Sequence, residues 1–93
     1  MSLEKLVSKY IATSEQVFNE LQVSDVCVNV DVNDTHEVLE FAIAYLEDAK
    51  YYKDKGKFEV SLTSIAYCEG LLDALRLLGA VKFEWPAKGK PEK

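Results

Sequence analysis

Three charged side chains on one apolar segment are the residues of this sequence best placed to do chemistry. Glu69, Asp73 and Arg76 are spaced at i, i+4 and i+7, so a helix would carry all three on one face. Most other positions of the segment 58–79 are apolar, and charges buried among them are costly unless they are paired. The simplest interpretation is a structural ion-pair network. In it Arg76 bonds Asp73 and Glu69, and a tyrosine hydroxyl or a side chain of a neighbouring helix completes the set.

The same carboxylates allow a second chemistry. Glu69 and Asp73 would line a small cavity for a divalent cation or a basic ligand group, with Asp48 joining them from the preceding helix. They are weak metal candidates, because a carboxylate metal centre of the four-helix type needs Glu-x-x-His pairs on facing helices. The single histidine, His36, stands at a predicted helix start next to Glu37, and no such pair exists in the sequence. We therefore expect no metal and no other cofactor.

A covalent reaction centre is not indicated either. Serine and cysteine nucleophiles need a base that a third group orients, and one histidine at a helix start does not provide this. Cys27 and Cys68 do not form a Cys-x-x-Cys pair, and the four glycines are too scattered for a phosphate-binding loop. The sequence therefore names no catalytic residue, and an enzyme is the less favoured class.

The charged residues depend on a helix that is apolar nearly all round and must be covered on several sides. At about 100° per residue, the segment 58–79 has two apolar sides. The side that flanks the charged line holds Phe58, Leu62, Ile65 and Leu72. The opposite side holds Val60, Tyr67, Leu71 and Leu78. A three-helix bundle covers only part of such a helix, so we expect this second side, with the outward-pointing Tyr51, to form an interface to a protein partner, in the simplest case a homodimer.

Two further segments supply helices that can cover it. The first helix is predicted over about residues 3–23, from an amphipathic stripe that begins after the N-cap residue Ser2. The second is predicted over residues 35–55, begun by a capping box in which Asp34 and Glu37 bond each other's backbone N–H groups. Its predicted inward stripe is Val38, Ala42, Tyr45, Leu46, Ala49 and Tyr52.

Glycine turns determine how the helices are joined. Gly56 ends the second helix and Gly79 the third, each as a left-handed C′ residue. Because the turn 55–57 is so short, the last two helices must pack antiparallel. We predict an all-α fold, an antiparallel up-and-down three-helix bundle with an extended connector between its first two helices. It forms one domain over residues 1–85, followed by a disordered tail at 86–93.

The connector itself has an extended pattern. Valines alternate with other residues over 26–32, which is typical of a strand. The stretch 81–85 also alternates, and the two stretches would form a short sheet if they paired. The alternative is an extended strap whose valines lie along the bundle.

Composition bears on the class of partner. The 93 residues have a net charge of -5, which disfavours nucleic acid as a partner. No run approaches the roughly 18 apolar residues of a membrane span, and the N terminus has no apolar signal core, so no membrane partner is expected. Two cysteines are too few for a disulfide scaffold, and the cytoplasm is the expected location.

Two stretches on the second and third helices resemble a known family. Residues 49–58 have the sequence AKYYKDKGKF, and residues 64–79 have the sequence SIAYCEGLLDALRLLG. Together with Tyr45 and the pair Asp48-Ala49 on the second helix, they are similar to the archaeal family called domain of unknown function 357, in which alanine usually stands at the position of Cys68. The likeness is close over these helices and the region just after them, and over the first helix it is one of pattern alone. It implies a small three-helix bundle with no established activity and no catalytic residues to transfer. Some relatives are joined to nucleotidyltransferase-like domains, which implies an accessory role.

Binding is therefore a better expectation than catalysis. The first hypothesis is a non-enzymatic interaction or accessory module that self-associates through the spare apolar side of the third helix. The alternative is a small-ligand or divalent-cation binder, or a weak enzyme, that uses Asp48, Glu69 and Asp73. Carboxylates that open into a pocket would favour the alternative, and carboxylates held by Arg76 would favour the first hypothesis.

Overall fold

Three α-helices dominate the structure. The computed structural model describes residues 2–86. In chain order the elements are α1 (Leu3–Glu20), β1 (Gln22–Val23), α2 (Val32–Asp54), α3 (Phe58–Leu77) and β2 (Val81–Lys82). The closest packing is between α2 and α3, and α1 lies across both. The predicted all-α three-helix bundle is confirmed.

α1 begins as predicted and ends sooner. The Ser2 side chain accepts a hydrogen bond from the backbone N–H of Lys5 at 3.1 Å, so it is the N-cap. The helix ends at Glu20, three residues before the predicted end, because the next residues form β1 and pair antiparallel with β2. The Ser24 N–H extends this pairing by donating to the Ala80 carbonyl oxygen at 2.9 Å. The short sheet therefore ties the end of α1 to the stretch that follows α3.

Of the two possibilities for residues 26–32, the strand paired with 81–85 is not formed, although residues 81–82 do pair with β1. The connector runs instead as an irregular strap, with Val26 and Val28 exposed and Cys27 packed against the core. The Asn29 side-chain amide donates to a carbonyl oxygen at the end of α3 at 2.9 Å. Two valines of the alternating pattern face solvent because the residues between them make the contacts with the bundle.

α2 begins one turn earlier than predicted, and the capping box of Asp34 and Glu37 is wrong. Asp31 is the N-cap, and its carboxylate accepts the backbone N–H of Asn33 at 2.8 Å. The burial of Thr35 explains the earlier start. Its hydroxyl donates to the Asp31 carbonyl oxygen at 3.1 Å, and this contact requires that the first turn has already formed. Asp34 lies within that first turn, where its negative charge interacts favourably with the positive end of the helix dipole.

Both predicted glycine stops are confirmed. The backbone φ is +76° at Gly56 and +82° at Gly79, the left-handed conformation that glycine adopts without strain. The residue after each glycine, Lys57 or Ala80, donates its N–H at 2.9 Å to the carbonyl five positions earlier. This is the Schellman motif. The first of these turns joins α2 and α3 into an antiparallel hairpin.

The core lies between α1 and this hairpin and takes one stripe from each helix. On α1 the buried residues are Val7, Ile11, Ser14 and Val17. On α2 they are Thr35, Leu39, Ala42, Leu46 and Ala49. On α3 they are Ser61, Ile65, Cys68, Leu72 and Leu75. The Ser61 hydroxyl donates to the Ala49 carbonyl oxygen at 2.6 Å, which satisfies a polar group inside the α2–α3 contact.

A surface ion pair joins α1 to α2. Lys50 Nζ lies 2.8 Å from Glu15 Oε2. The hydrogen bond and the charge of Glu15 raise the pKa of Lys50. Since the two side chains are 43% and 42% exposed, solvent screens the pair and it contributes little to stability.

The described range also bears on the membrane and the tail. No helix within residues 2–86 has the length and apolar character that crossing a membrane requires. Of the predicted disordered tail at 86–93, Pro86 is described, and residues 87–93 lie outside the described residues.

Candidate functional site

Asp73 is the centre of the charged line on α3. Its Oδ1 accepts two N–H groups from Arg76, Nε at 3.1 Å and Nη2 at 3.0 Å. The same oxygen accepts the indole N–H of Trp85 at 3.0 Å. Three donors on one oxygen make Asp73 the point at which α3 holds the segment after β2.

Aromatic contacts extend this arrangement. The Arg76 guanidinium lies 5.9 Å from the centre of the Phe83 ring, and the Phe83 and Trp85 rings meet edge to face at 5.0 Å. We call Asp73, Arg76, Phe83 and Trp85 the clasp. The sequence carries no signal that joins Trp85 to the charged site, because an indole twelve residues from Asp73 has no periodic relation to it.

Glu69 lies one turn before Asp73, and its Oε2 is shielded from solvent. Burial raises the pKa of the neighbouring Cys68 thiol to about 12, and the negative charge of Glu69 adds to the rise. The Ser14 hydroxyl on α1 faces the thiol and lowers the pKa by a smaller amount, although within residues 2–86 no hydrogen bond of ordinary geometry joins them. A thiol with this pKa stays protonated near neutral pH and is a poor nucleophile or metal ligand.

The other predicted acidic residue lies elsewhere. Asp48 is exposed on α2, on the side of the hairpin opposite the flank of α3 that carries Glu69 and Asp73. In the part of the chain that the structure describes, no three His, Cys, Asp or Glu side chains come together as a possible metal site. The three weak metal candidates are therefore not gathered into a ligand set, and His36 is exposed in the first turns of α2.

A second surface lies on the side of the hairpin that α1 leaves uncovered. α1 meets α2 along the flank of Lys50 and Ile43. The residues of the opposite flank of α2 are half-buried or exposed. That flank and the matching flank of α3 each carry a stripe one residue before the core stripe. We call these stripes the outer face, and its residues are Val38, Phe41, Tyr45, Asp48, Tyr52, Val60, Ser64, Tyr67, Leu71, Ala74 and Leu78.

Aromatic rings occupy the middle of the outer face. Tyr45 and Tyr67 meet edge to face, with ring centres 4.4 Å apart and planes at 68°. This contact sets the register of the hairpin and places Phe41 level with Leu71. Phe41 is 57% exposed and Tyr67 53% exposed, so two large rings face solvent beside the half-buried Tyr45.

The outer face differs in part from the interface that the sequence predicts. Val60, Tyr67 and Leu78 are exposed there, whereas Leu71 is half-buried and packs against the core. Tyr51 is exposed but lies about a quarter turn away from the stripe, with its ring against Tyr52.

The position of the core stripe on α2 explains part of the difference between the predicted and the observed surface. The predicted inward stripe included Val38, Tyr45 and Tyr52, which lie only half-buried at its edge, while Leu39 is in the core. Because the predicted stripe of α2 was displaced in this way, Phe41 was left out of the predicted interface. Its position four residues before Tyr45 was the available signal.

The comparison with known families places the chain among its relatives. A family model described as Protein of unknown function (DUF357) matches residues 9–81. The chain belongs to the DUF357 family. This confirms the resemblance seen in the sequence. No curated protein and no solved structure matches the chain.

The DUF357 match covers the two surfaces unequally. It includes every residue of the outer face, and it includes Asp73 and Arg76 of the clasp. Phe83 and Trp85 lie beyond its end. The description of the DUF357 family gives no function, and the geometry of these two surfaces is therefore the basis for inferring one.

Proposed function

We propose that this DUF357 protein is a non-enzymatic protein–protein interaction or accessory module that self-associates through its outer face. The observation that carries the proposal is the pair of exposed rings, Phe41 and Tyr67, in the middle of an apolar two-helix surface. Proteins in water expose large contiguous apolar patches mainly where they bind partners. Aromatic residues at the centre of an interface also supply much of its binding energy.

The packing of the outer face supports a binding role further. Tyr45 and Tyr67 already hold each other edge to face, and both stand on helices anchored in the core. These two tyrosines have little side-chain freedom left to lose on binding, so the middle of the surface is partly preorganised.

The clasp supports a non-catalytic role. Three N–H groups already occupy Asp73 Oδ1, and the nearby Cys68 thiol is buried and protonated. The alternative, a small-ligand or divalent-cation site formed by Asp48, Glu69 and Asp73, has no specific observation in its favour, because Asp48 lies on another side of the hairpin. These charges serve structure in our proposal.

Charge and cysteine content support the setting of the module. Cys27 and Cys68 are both free thiols, as is usual for proteins of the reducing cytoplasm. The net charge of -5 repels phosphate backbones, so a protein surface suits the outer face better than nucleic acid does.

Sedimentation velocity with two matched tyrosine variants tests this proposal. We expect the native chain to form a dimer at tens of micromolar, and Tyr67→Ser to shift it toward monomer. Tyr51→Ser is the control, because Tyr51 is equally exposed, at 56%, but lies off the outer face. Serine and tyrosine have similar helix propensities, so neither change should melt its helix. A native chain that stays monomeric, or a Tyr51→Ser variant that dissociates as much as Tyr67→Ser, would contradict the proposal.

A further inference from the structure

The two ends of the outer face carry opposite charge. Asp31, Asp34 and Glu37 are exposed at the start of α2. Lys55 and Lys57 are exposed at the other end, in the turn to α3. α2 has 23 residues, which at 1.5 Å per residue makes it about 34 Å long. The two groups are therefore too far apart to neutralise each other within one chain.

The tyrosine pair lies midway between these groups. Tyr45 follows Asp34 by eleven residues and precedes Lys55 by ten. The middle of the apolar surface therefore coincides with the middle of the charge pattern. A surface with this property is complementary to a copy of itself turned end to end.

We infer that the outer face binds a second copy of this chain across a two-fold axis at the level of Tyr45 and Tyr67, with the two α2 helices antiparallel. The inference rests on the proposed function and adds the orientation of the partner. Antiparallel α2 helices bring the lysines of each copy opposite Asp34 and Glu37 of the other, twice in one dimer. Parallel α2 helices would place acid against acid and lysine against lysine, which opposes association.

Of the remaining charges of this region, Asp48 opposes the arrangement weakly, and the others lie outside the outer face. Asp48 lies three residues from Tyr45, so the two copies of Asp48 stand on opposite sides of the axis, about 9 Å apart along the helices. Asp54 lines the groove beside α1, away from the outer face. Glu59 lies about a quarter turn from Val60, outside the stripe.

Charge reversal with complementary mixing tests the orientation. The double variant Lys55→Glu/Lys57→Glu has acid at both ends, and Asp34→Lys/Glu37→Lys has base at both ends. We expect each to self-associate at least about tenfold more weakly than the native chain, and their equal mixture to recover the native affinity as a heterodimer. High salt should reduce these differences. Circular dichroism checks that both variants keep their helices.

Zero-length carbodiimide cross-linking of the native full chain gives an independent readout. We expect the dimer band to contain peptides that join Lys55 or Lys57 to Asp34 or Glu37, because within one chain these groups lie at opposite ends of α2. A native dimer without these cross-links, or variants that pair no better in mixture than alone, would overturn the orientation and leave the proposed function standing. A native chain that never dimerises would overturn both.

Discussion

The two flanks of α3 differ in which groups already have partners within the chain. On one flank, Asp73 bonds both Arg76 and Trp85, so these charged groups already have hydrogen-bond partners within the chain. On the other flank, Tyr67 presents its ring to solvent beside Phe41 of α2. Charged groups that are already hydrogen-bonded within the protein have little bonding capacity free for a ligand. Exposed rings, in contrast, still have apolar surface that a partner can bury. We therefore look for a binding function in the exposed rings of this bundle and not in its charges.

Removing the Asp73 carboxylate should give the largest effect on stability. Asp73→Ala leaves the donors of Arg76 and Trp85 without this acceptor, and we expect a loss of about 2 kcal/mol in the free energy of unfolding, since hydrogen bonds to a charged group are strong but this site is half exposed. Asp73→Asn keeps an acceptor oxygen and should lose less. Urea unfolding of dilute samples measures both, because dilution keeps the chains monomeric.

A double-mutant cycle separates the clasp from general damage to α3. Trp85→Phe removes the indole N–H and keeps an aromatic ring. If the clasp acts as one unit, the combined loss in Asp73→Ala/Trp85→Phe will be smaller than the sum of the single losses. Strict additivity would mean that the Asp73 and Trp85 contact does not hold the segment after β2.

On the opposite flank, Phe41→Ser should weaken self-association about tenfold, which corresponds to roughly 1.4 kcal/mol. Its effect on unfolding of the monomer should be small, because the ring is already more than half in solvent. The matched control is Ile43→Ser, which removes an exposed apolar side chain of α2 on the flank that faces α1. Equal weakening by the two variants would show that α2 as a whole, and not the outer face, governs association.

Cys68, in the core stripe between the two flanks, should give the smallest effect at neutral pH. Cys68→Ala removes one buried sulfur, and we expect a loss of about 1 kcal/mol. Burial raises the pKa of the thiol in the folded state from 9.0 to about 12, so its stabilising contribution is full below pH 9 and is lost as the pH rises toward 12.

The stability difference between the native chain and Cys68→Ala should therefore fall by up to about 1.4 kcal/mol per pH unit above pH 9, so that it reaches zero and then changes sign. Urea unfolding at neutral and alkaline pH measures it. A difference that stays constant with pH would mean that the thiol is not shielded from water as the structure places it.

Local signals in the sequence predicted much of the fold. Gly56 and Gly79 marked the ends of α2 and α3 in the sequence, because a glycine after an apolar periodic segment commonly adopts the left-handed C′ conformation. The start of α2 was harder to predict, since Asp31 and Asp34 are both good N-cap residues. The burial of Thr35, which is a tertiary contact, decided between them.

The two surfaces were less predictable than the helices. The charged line of Glu69, Asp73 and Arg76 followed from helical spacing, but the contact with Trp85 requires the chain to turn at Gly79 and return along α3. Sequence spacing does not report such a return. The α3 residues of the outer face were predicted, but Phe41 was not. The predicted inward stripe of α2 was displaced by one residue, so Phe41 was not recognised as part of an exposed apolar surface.

Sedimentation equilibrium of the native chain beside Phe41→Ser and Asp73→Ala tests the division between the two flanks most directly. We predict a dimer for the native chain and for folded Asp73→Ala, and a shift to monomer for Phe41→Ser. Loss of the dimer in Asp73→Ala with its helices intact, together with an unchanged dimer in Phe41→Ser, would contradict this prediction.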